Sequence, residues 1–538
     1  MTDIARKTRI LISVFVLNLL RICINQFLME IPQEVKFILE KLQESGFEAY
    51  IVGGCVRDLL VGKKPKDWDV ATNANPEEIQ EIFPDSFYEN KFGTVGVKTA
   101  SLEQPHPDPL LSKEREIQVV EITTFRAEAK YTDKRHPDEV RFVKTLEEDL
   151  ARRDFTVNAM AVSTNSQNTK AKLQINTKYQ IPNTEFFLID LFGGQKDLND
   201  KVIRAVGNAD ERFGEDALRM LRAVRFAVQL DFSIEGETFK AIQKNAGWLE
   251  AIAKERIRDE FEKIIMAAEP DKGVELLREA GLLKYIIPEL ETGIGVTQDR
   301  HHIYSVYEHN LMSLKFAGQK KYNLVVRLAA LLHDVGKAQT KVIREGISTF
   351  YNHEMVSAKM AARILDRLRF PREVIERVVN LVRYHMFVYD VGVVTEAAVR
   401  RLLRKVGPEN MEDLIAVRVC DRLGSGVPKA QPYRLRHFQY MVEKVQHDAI
   451  SVGMLKINGN EIMEILKIQP GPVIGAVMDV LLAEVIEDPK LNEKELLEKR
   501  VKELAKIDLA ELRKMAKEKI EEKKEEEDKG IKQKYWVK

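Results

Sequence analysis

Residues 50–70 read YIVGGCVRDLLVGKKPKDWDV, and this stretch decides the fold. The apolar run Tyr50, Ile51, Val52 predicts a short strand that stops at Gly53-Gly54. Two glycines let the backbone take positive φ and come close to a ligand. Residues 55–60 predict a short helix directly after them, and a helix start beside bare backbone amides suits a phosphate. Arg57 adds a charge-assisted contact to the same phosphate. Pro65 breaks the chain ahead of Asp67-Trp68-Asp69-Val70. Read as a strand, that piece puts Asp67 and Asp69 on one face. Neighbouring carboxylates repel unless a cation lies between them, and hard oxygen ligands beside a phosphate site suggest Mg²⁺. The implied chemistry is two-metal phosphoryl or nucleotidyl transfer. A GG pair alone is an ordinary turn and a lone D-x-D an ordinary solvated strand edge; their order within residues 53–69 carries the signal.

Composition bounds the rest. A chain of 538 residues is too long for one core, and roughly two to four domains are expected. Lys+Arg and Asp+Glu are both 84, so bulk charge announces no nucleic-acid partner and any basic surface is local. The 3 cysteines, Cys23, Cys55 and Cys420, form no C-x-x-C. That argues against a disulfide framework or zinc ribbon and for a reducing, cytoplasmic setting. Arg6, Lys7 and Arg9 precede ILISVFVLNLL, which looks like the start of a signal peptide. The apolar run is too short to span a bilayer, Arg21 interrupts its continuation, and no cleavage site follows cleanly. Met29 reads as a natural start. Residues 1–28 are therefore expected to be an extension outside the native core, with a hydrophobic N-terminal helix as the alternative and no membrane role.

Along the chain, residues 34–45 predict a helix that Gly46 ends, and Asn75-Pro76-Glu77-Glu78 starts another. Residues 92–97 predict a strand, and residues 101–116, with Pro105, Pro107 and Pro109, a loop. IQVVEITTF at 117–125 alternates as a strand does, placing Val119, Glu121 and Thr123 on one face. As a hairpin partner it brings Glu121 towards Asp67 and Asp69. Glu121 is thus the candidate third carboxylate, set against the plain reading of a solvated strand residue. Residues 126–139 predict a flexible loop, 146–161 a helix, and 186–194 a strand closing on a glycine turn; the polar segment 163–185 has no placement. From residue 209 onward the period is helical. The expected fold is α+β: a small mixed β-sheet head, then a long all-helical neck, body and tail. The divisions fall at 29–205 (head), 206–295 (neck), 296–428 (body), 429–505 (tail) and 506–538. The last carries KMAKEKIEEKKEEEDK and predicts an exposed or frayed charged helix.

Further motifs follow in order. Arg152-Arg153-Asp154-Phe155-Thr156-Val157-Asn158 places adjacent arginines where they suit a triphosphate or a sugar edge, with Asp154 and Asn158 four apart on a helix face. DLFGGQKDL begins at Asp190. EDALRMLRAVRF begins at Glu215, with Asp216 and Arg219 three apart; alone, such a pair is an ordinary helix ion pair. ERIRDEF begins at Glu255 and reads as a helix bracing its neighbour, without direct chemistry. Histidines cluster between His301 and His385, in the order His309, His333-Asp334, His353, His385, then Asp421. His333-Asp334, at the end of the apolar LVVRLAALL, offers one nitrogen and one oxygen ligand, and His309 and Asp421 complete a divalent site. His353 and His385 allow a second metal. A domain that merely packs as part of the body is the alternative.

The head stretch resembles the DNA polymerase β-like nucleotidyltransferases, and the form GGCVRD…DWD resembles their tRNA nucleotidyltransferase and bacterial poly(A) polymerase branch. The later motifs resemble the same family in order, and the histidine cluster resembles the HD phosphohydrolase domain. Residues 455–492, with Lys456 and Lys467, resemble the tail of HD-containing tRNA nucleotidyltransferases. Over roughly residues 30 to 500 the chain is therefore identified as a member of the class II CCA-adding tRNA nucleotidyltransferases. The resemblance implies that Asp67 and Asp69 hold two Mg²⁺ and that Gly53, Gly54 and Arg57 cradle a triphosphate. Arg153, Asp154 and Asn158 would hold sugar and phosphates, and Arg222 would join the nucleotide site. In the family the residues matching Asp216 and Arg219 serve as a protein template for the base: both C and A present an amine donor beside a ring-nitrogen acceptor, and G and U present the opposite order. The implied partners are tRNA, ATP and CTP. The HD site, His309, His333, Asp334 and Asp421 with His353 and His385, would take a transition metal or Mg²⁺. A poly(A) polymerase is the nearest rival, but VVEITTFRAE stands where that branch carries an arginine-rich strand. A partial enzyme adding only CC or only A, and an HD phosphohydrolase with an RNA-binding head, are the others.

Overall fold

The structure, a computed structural model, describes residues 31–90, 93–99, 119–129, 139–164, 178–180, 186–299, 303–426, 431–447, 455–487 and 489–537. The 1–28 extension and the 101–116 loop lie outside the described residues, as do 130–138, 165–177 and 181–185. The chain divides into two compact units. The first takes in Met1–Glu291 and Ile364–Phe370, the second Thr292–Arg363 and Pro371–Lys538, so the boundary falls inside a helix, His353–Arg367. No helix among the described residues is long and apolar enough to cross a membrane.

The first unit is built on a mixed sheet. Its strands are β1 (Ala49–Val52), β2 (Asp69–Thr72), β3 (Ser86–Asn90), β4 (Thr94–Lys98), β5 (Val119–Thr124), β8 (Met160–Ser163), β9 (Lys178–Gln180) and β10 (Phe187–Asp190), in the order β3-β4-β5-β2-β1-β8-β10-β9. β2 and β5 are parallel; β4 and β5 are antiparallel. The 117–125 strand is thus a hairpin partner of β4, and it reaches Asp69 through a parallel pairing. All four residues of β1 are buried, as a central strand requires. Tyr50, Val52, Ala71, Phe125, Leu150, Ala161 and Ile189 form one apolar cluster against it. Burying each large apolar side chain contributes about 1.5–3 kcal/mol.

Two expectations fail here. Residues 146–161 are not one helix. A helix runs over Leu146–Ala151, a 3₁₀ turn over Thr156–Asn158, and then β8 begins. The Asp154 side chain accepts from its neighbour Phe155 N at 2.8 Å, which competes with helical hydrogen bonding. Beyond it the β-branched Thr156 and Val157 favour leaving the helix. Residues 126–139 are not all loop either: β6 (Arg126–Ala129) and β7 (Glu139–Phe142) pair as an antiparallel ribbon.

Helices follow. Those used below are α1 (Gly54–Leu60), α2 (Leu146–Ala151), α3 (Ala209–Glu215), α4 (Leu218–Leu230) and α5 (Lys254–Ile265). α4 packs on α5, and Arg225 Nη1 donates to Glu260 Oε1 at 3.0 Å with both side chains buried. In the second unit, α6 (Val306–Gln319) packs on α7 (Leu324–Leu332), and α8 (His353–Arg367), α9 (Arg372–Tyr384), α10 (Glu396–Val406), α11 (Met411–Gly424) and α12 (Tyr433–His447) follow. The hairpin Val342–Arg344 with Ile347–Thr349 interrupts the helical pattern. A last helix, α13 (Leu509–Tyr535), is not frayed at its end. Ile531 and Val537 are buried with Tyr440 of α12, Tyr440 donates to Asp528, and Lys534 pairs with Glu443 at 2.8 Å.

Candidate functional site

Gly53 caps α1 with φ +84, in the left-handed region that glycine tolerates. A Cβ there would stand 2.8 Å from Arg153 Nη1 and 3.3 Å from Asp69 Oδ2. The backbone therefore runs bare between a guanidinium and a carboxylate. Asp69 opens β2, in register with Glu121 of β5, and side chains in register share a sheet face. Both line a cavity of ≈ 730 Å³, together with Gly53, Gly54, Asp154, Asn158, Asp216 and the arginines 57, 126, 152, 153, 219, 222 and 256. Asp67 does not share the strand. β2 begins at Asp69, and Asp67 lies in the exposed bend after Pro65, outside the cavity lining. Pro65 has no N–H for a ladder, so pairing begins later, where Glu121 N donates to Trp68 O at 3.2 Å. Asp67 still acts on its neighbour. Burial raises the Asp69 pKa above the ordinary carboxylate range, Arg153 opposes the rise, and Asp67 adds to it. A buried carboxylate under that pressure favours a nearby cation, and Asp69 and Glu121 line the cavity while Asp67 stands outside it.

The arginines are held in a hydrogen-bonded frame. Arg152 donates to Asp149 Oδ1 through Nε and Nη2 at 3.0 and 2.7 Å, and Arg153 Nη2 to Asp149 Oδ2 at 3.3 Å. Asp149, which the sequence reading missed, is fully buried on α2 and orients both. Arg57 Nη1 donates to Asn158 Oδ1 at 2.7 Å, and Asn158 Nδ2 to Asp154 Oδ1 at 3.1 Å. Arg222 grips Asp154 Oδ2 through Nε and Nη2 at 2.8 and 2.6 Å. Asp154 and Asn158 meet as expected, although no helix joins them. Burial opposes the charge on Asp154, but Arg222 and Asn158 overcome it and bring its pKa down to about 2. The guanidinium carbons of Arg57 and Arg222 stand 5.2 and 5.4 Å from the Phe226 ring centroid.

Asp216 and Arg219 do not share a helix face. Asp216 lies between α3 and α4 with φ −139 and ψ 106, and its Oδ1 accepts from Leu218 N at 3.0 Å. Asp216 is thus the residue that ends α3, in an extended backbone conformation that takes it off the helix. Its other partner is Arg256 of α5, whose Nη2 reaches Oδ2 at 2.7 Å and Nη1 reaches Oδ1 at 3.3 Å. Arg219 is occupied by Glu215 Oε2 (2.5 Å) and by the carbonyls of Arg152 (3.0 Å) and Arg212 (3.3 Å). Arg256 thus enters the cavity directly, where the ERIRDEF reading expected only bracing. The signal available was its charge within a quoted motif.

A second cluster lies in the second unit. His309 of α6, His333 at the end of α7, Asp334, His353 at the start of α8, His385 after α9 and Asp421 of α11 come together, all buried. One ligand atom each from His309, His333, Asp334 and Asp421 lie within 4.8 Å of one another, as do those of Asp334, His353 and His385. His309 Nε2 stands 3.0 Å from His333 Nε2, 3.2 Å from Asp334 Oδ2 and 3.3 Å from Asp421 Oδ1. Burial works against charge on His333, yet Asp334 and Asp421 push its pKa up to about 10; burial and the charged His333 push His385 down to about 3. Asp334 Oδ1 and His353 Nε2 are 3.2 Å apart, but neither makes a well-formed hydrogen bond. Converging nitrogen and oxygen donors with such orphaned buried atoms fit one or two divalent cations. Lys337 donates to Asp334 Oδ2 at 2.6 Å and to Gln298 Oε1 at 2.7 Å. In the tail, exposed Lys456 pairs with Glu493 at 2.8 Å, and Lys467 ends a helix at φ 53.

Residues 49–204 match the Poly A polymerase head domain, 231–294 the probable RNA and SrmB-binding site of polymerase A, and 306–425 the HD domain. The CCA-adding enzyme of Lactococcus lactis is 33% identical over 481 residues, spanning 88% of this chain and 99% of its own. That of Ligilactobacillus salivarius is 32% identical, over 88% and 98%. The crystal structure of the Bacillus stearothermophilus CCA-adding enzyme with CTP matches at 26% identity and a TM-score of 0.53, covering 88% of this chain and 98% of that one.

Proposed function

Given that the chain belongs to the CCA-adding enzyme family and is a nucleotidyltransferase, we propose that it adds C and A nucleotides to the 3′ end of tRNA, drawing them from CTP and ATP. The observation that carries this reading is the single cavity uniting Asp69 and Glu121 with bare glycine backbone and a frame of arginines. Asp67 and Asp69 would hold two Mg²⁺, with Glu121 beside them. Bound there, the metal supplies Lewis acidity for the attacking 3′-hydroxyl and the departing pyrophosphate. Gly53 and Gly54 leave room for the triphosphate, and Arg153 neutralises it. Arg57, Asn158, Asp154 and Arg222 form a chain that fixes the sugar side of the cavity. Asp216 accepts from the base amine and Arg219 donates to a ring acceptor, so selection needs no nucleic-acid template. The helical body and tail dock the tRNA by shape and phosphate contacts.

The test offers the purified protein tRNAs ending at the discriminator base, at C and at CC, with each nucleoside triphosphate separately. Stepwise C, C, A addition is expected. A run of A on any RNA would assign it to poly(A) polymerase chemistry, and one missing step would make it a partial enzyme. The His/Asp cluster supports a second reading alongside the first, a metal-dependent phosphoester hydrolysis. His309, His333, Asp334 and Asp421 would hold the metal, and His353 and His385 a second. Bound there, the metal would supply a hydroxide nucleophile at neutral pH.

A further inference from the structure

Beside the His/Asp cluster the structure gathers cations that neither reading uses. Arg418 and Arg422 lie four apart on α11, on the same helix face, flanking Asp421. Arg418 Nη1 sits 2.5 Å from Asp421 Oδ2 and 3.6 Å from Met386 Sδ, with its guanidinium carbon 5.3 Å from the Tyr389 ring centroid. Arg422 Nη1 donates to Tyr389 Oη at 3.0 Å. Like charges four apart disfavour a helix, yet both guanidiniums turn to one phenol. The Nε atoms of both are buried and make no hydrogen bond. Asp421, the carboxylate against Arg418, also faces His309 and His333 at 3.3 and 3.6 Å. Asp421 thus presents Oδ1 to the histidines and Oδ2 to Arg418. Met386 and Tyr389 stand one and four residues after His385, so this pair borders the His/Asp cluster from two elements, α11 and the segment after α9.

We propose that Arg418 and Arg422 form an anion subsite of the His/Asp centre that takes phosphate oxygens. The ligand class is a phosphoester, with the ester phosphate reaching both the metal side and the arginine side of Asp421. Planar guanidiniums with free N–H groups suit this, because they bind phosphate through paired donors. This rests on the metal-site reading, and the test separates the two.

Calorimetry is run on the full chain with Mn²⁺ alone, then with inorganic phosphate, a nucleoside monophosphate and a short RNA bearing a terminal phosphate, each with and without Mn²⁺. Arg422→Gln is the main variant because it leaves the Arg418–Asp421 pair in place; Arg422→Lys tests partial rescue and Arg434→Gln is the surface control. Arg422→Gln should weaken phosphate at least about tenfold, with Mn²⁺ stoichiometry and affinity unchanged and an unaltered melting midpoint. Whether the monophosphate or the RNA gains affinity over inorganic phosphate identifies the source of the phosphate. Unchanged phosphate affinity in Arg422→Gln, with Mn²⁺ still bound, overturns the subsite and leaves the metal site standing. If Mn²⁺ does not bind, the metal reading fails, while phosphate that still binds and still weakens in Arg422→Gln upholds the subsite. Absence of any phosphate binding overturns it.

Discussion

Asp154 shows how far one carboxylate can organise a site. Two guanidinium nitrogens, one amide and one backbone N–H converge on it. Its pKa of about 2 lies below the ordinary 3.8, so its stabilisation is fully present above the unfolded value and is lost as pH falls through the folded one. The contribution is on the order of 2 kcal/mol. Asp154→Asn is therefore expected to lower the melting midpoint at neutral pH and to flatten its fall between about pH 4 and 2; an unchanged slope in calorimetry across that window would count against it. Asp69→Ala should reduce nucleotide addition on the order of a hundredfold or more while the fold survives. Near wild-type addition with Mg²⁺ would dismiss Asp69 as a metal ligand. Arg256 holds the carboxylate of Asp216, so Arg256→Ala should shift the ratio of C to A, U and G incorporation more than it weakens any one triphosphate. The lost contact is worth about 1.5–3 kcal/mol, or one to two decades. A uniform loss across all four nucleotides would return Arg256 to bracing alone.

At the scale of elements, α4 and α5 are tied by the buried Arg225–Glu260 pair, with the Arg225 guanidinium 4.2 Å from the Phe226 ring centroid. Removing one partner strands the other in a dry site. Glu260→Ala should destabilise by about 3–5 kcal/mol, whereas replacing both residues by apolar ones should cost far less; equal effects in denaturant titrations would refute the pairing argument. Sequence legibility divides along these elements. β1, the glycine turn and α1 follow from residues 50–60 because burial, positive φ and helix propensity all agree there. The His/Asp grouping was legible for a related reason: its ligand types recur within one run of helices. The break at Arg152–Phe155 was not, since Arg-Arg-Asp after LEEDLA continues a helical period, and only the structure shows the helix ending at Ala151 and Asp154 accepting from Phe155 N. The same blindness hid Asp216 between two helices, because a cap and a helical aspartate look alike in a string. Arg256 was missed because its partner Asp216 lies far away in sequence, and Asp149 because an acidic residue in LEEDLA gives no sign that it is buried. The end of α13 packs through Ile531 and Val537 on Tyr440, beyond the charged run 514–529 from which solvation was expected.

For the whole molecule, the two candidate centres lie in separate compact units. Asp334→Ala should therefore abolish metal-dependent phosphoester hydrolysis and leave CCA addition within about twofold, since sites that share no partners couple weakly. A parallel loss of both activities in one preparation would show that the units do not act independently. The first unit is also discontinuous in the chain, because Ile364–Phe370 returns to it after the second has begun. Arg367 within that piece clasps Glu289 through two bonds of 2.6 and 2.8 Å and reaches the carbonyl of Ile286. During synthesis, Glu289 leaves the ribosome long before its partner exists. At ~5–20 residues per second, the roughly eighty residues still to come take about 4–16 s. The nascent first unit must wait that long with this seam open, while the histidine-bearing helices of the other unit are still being made.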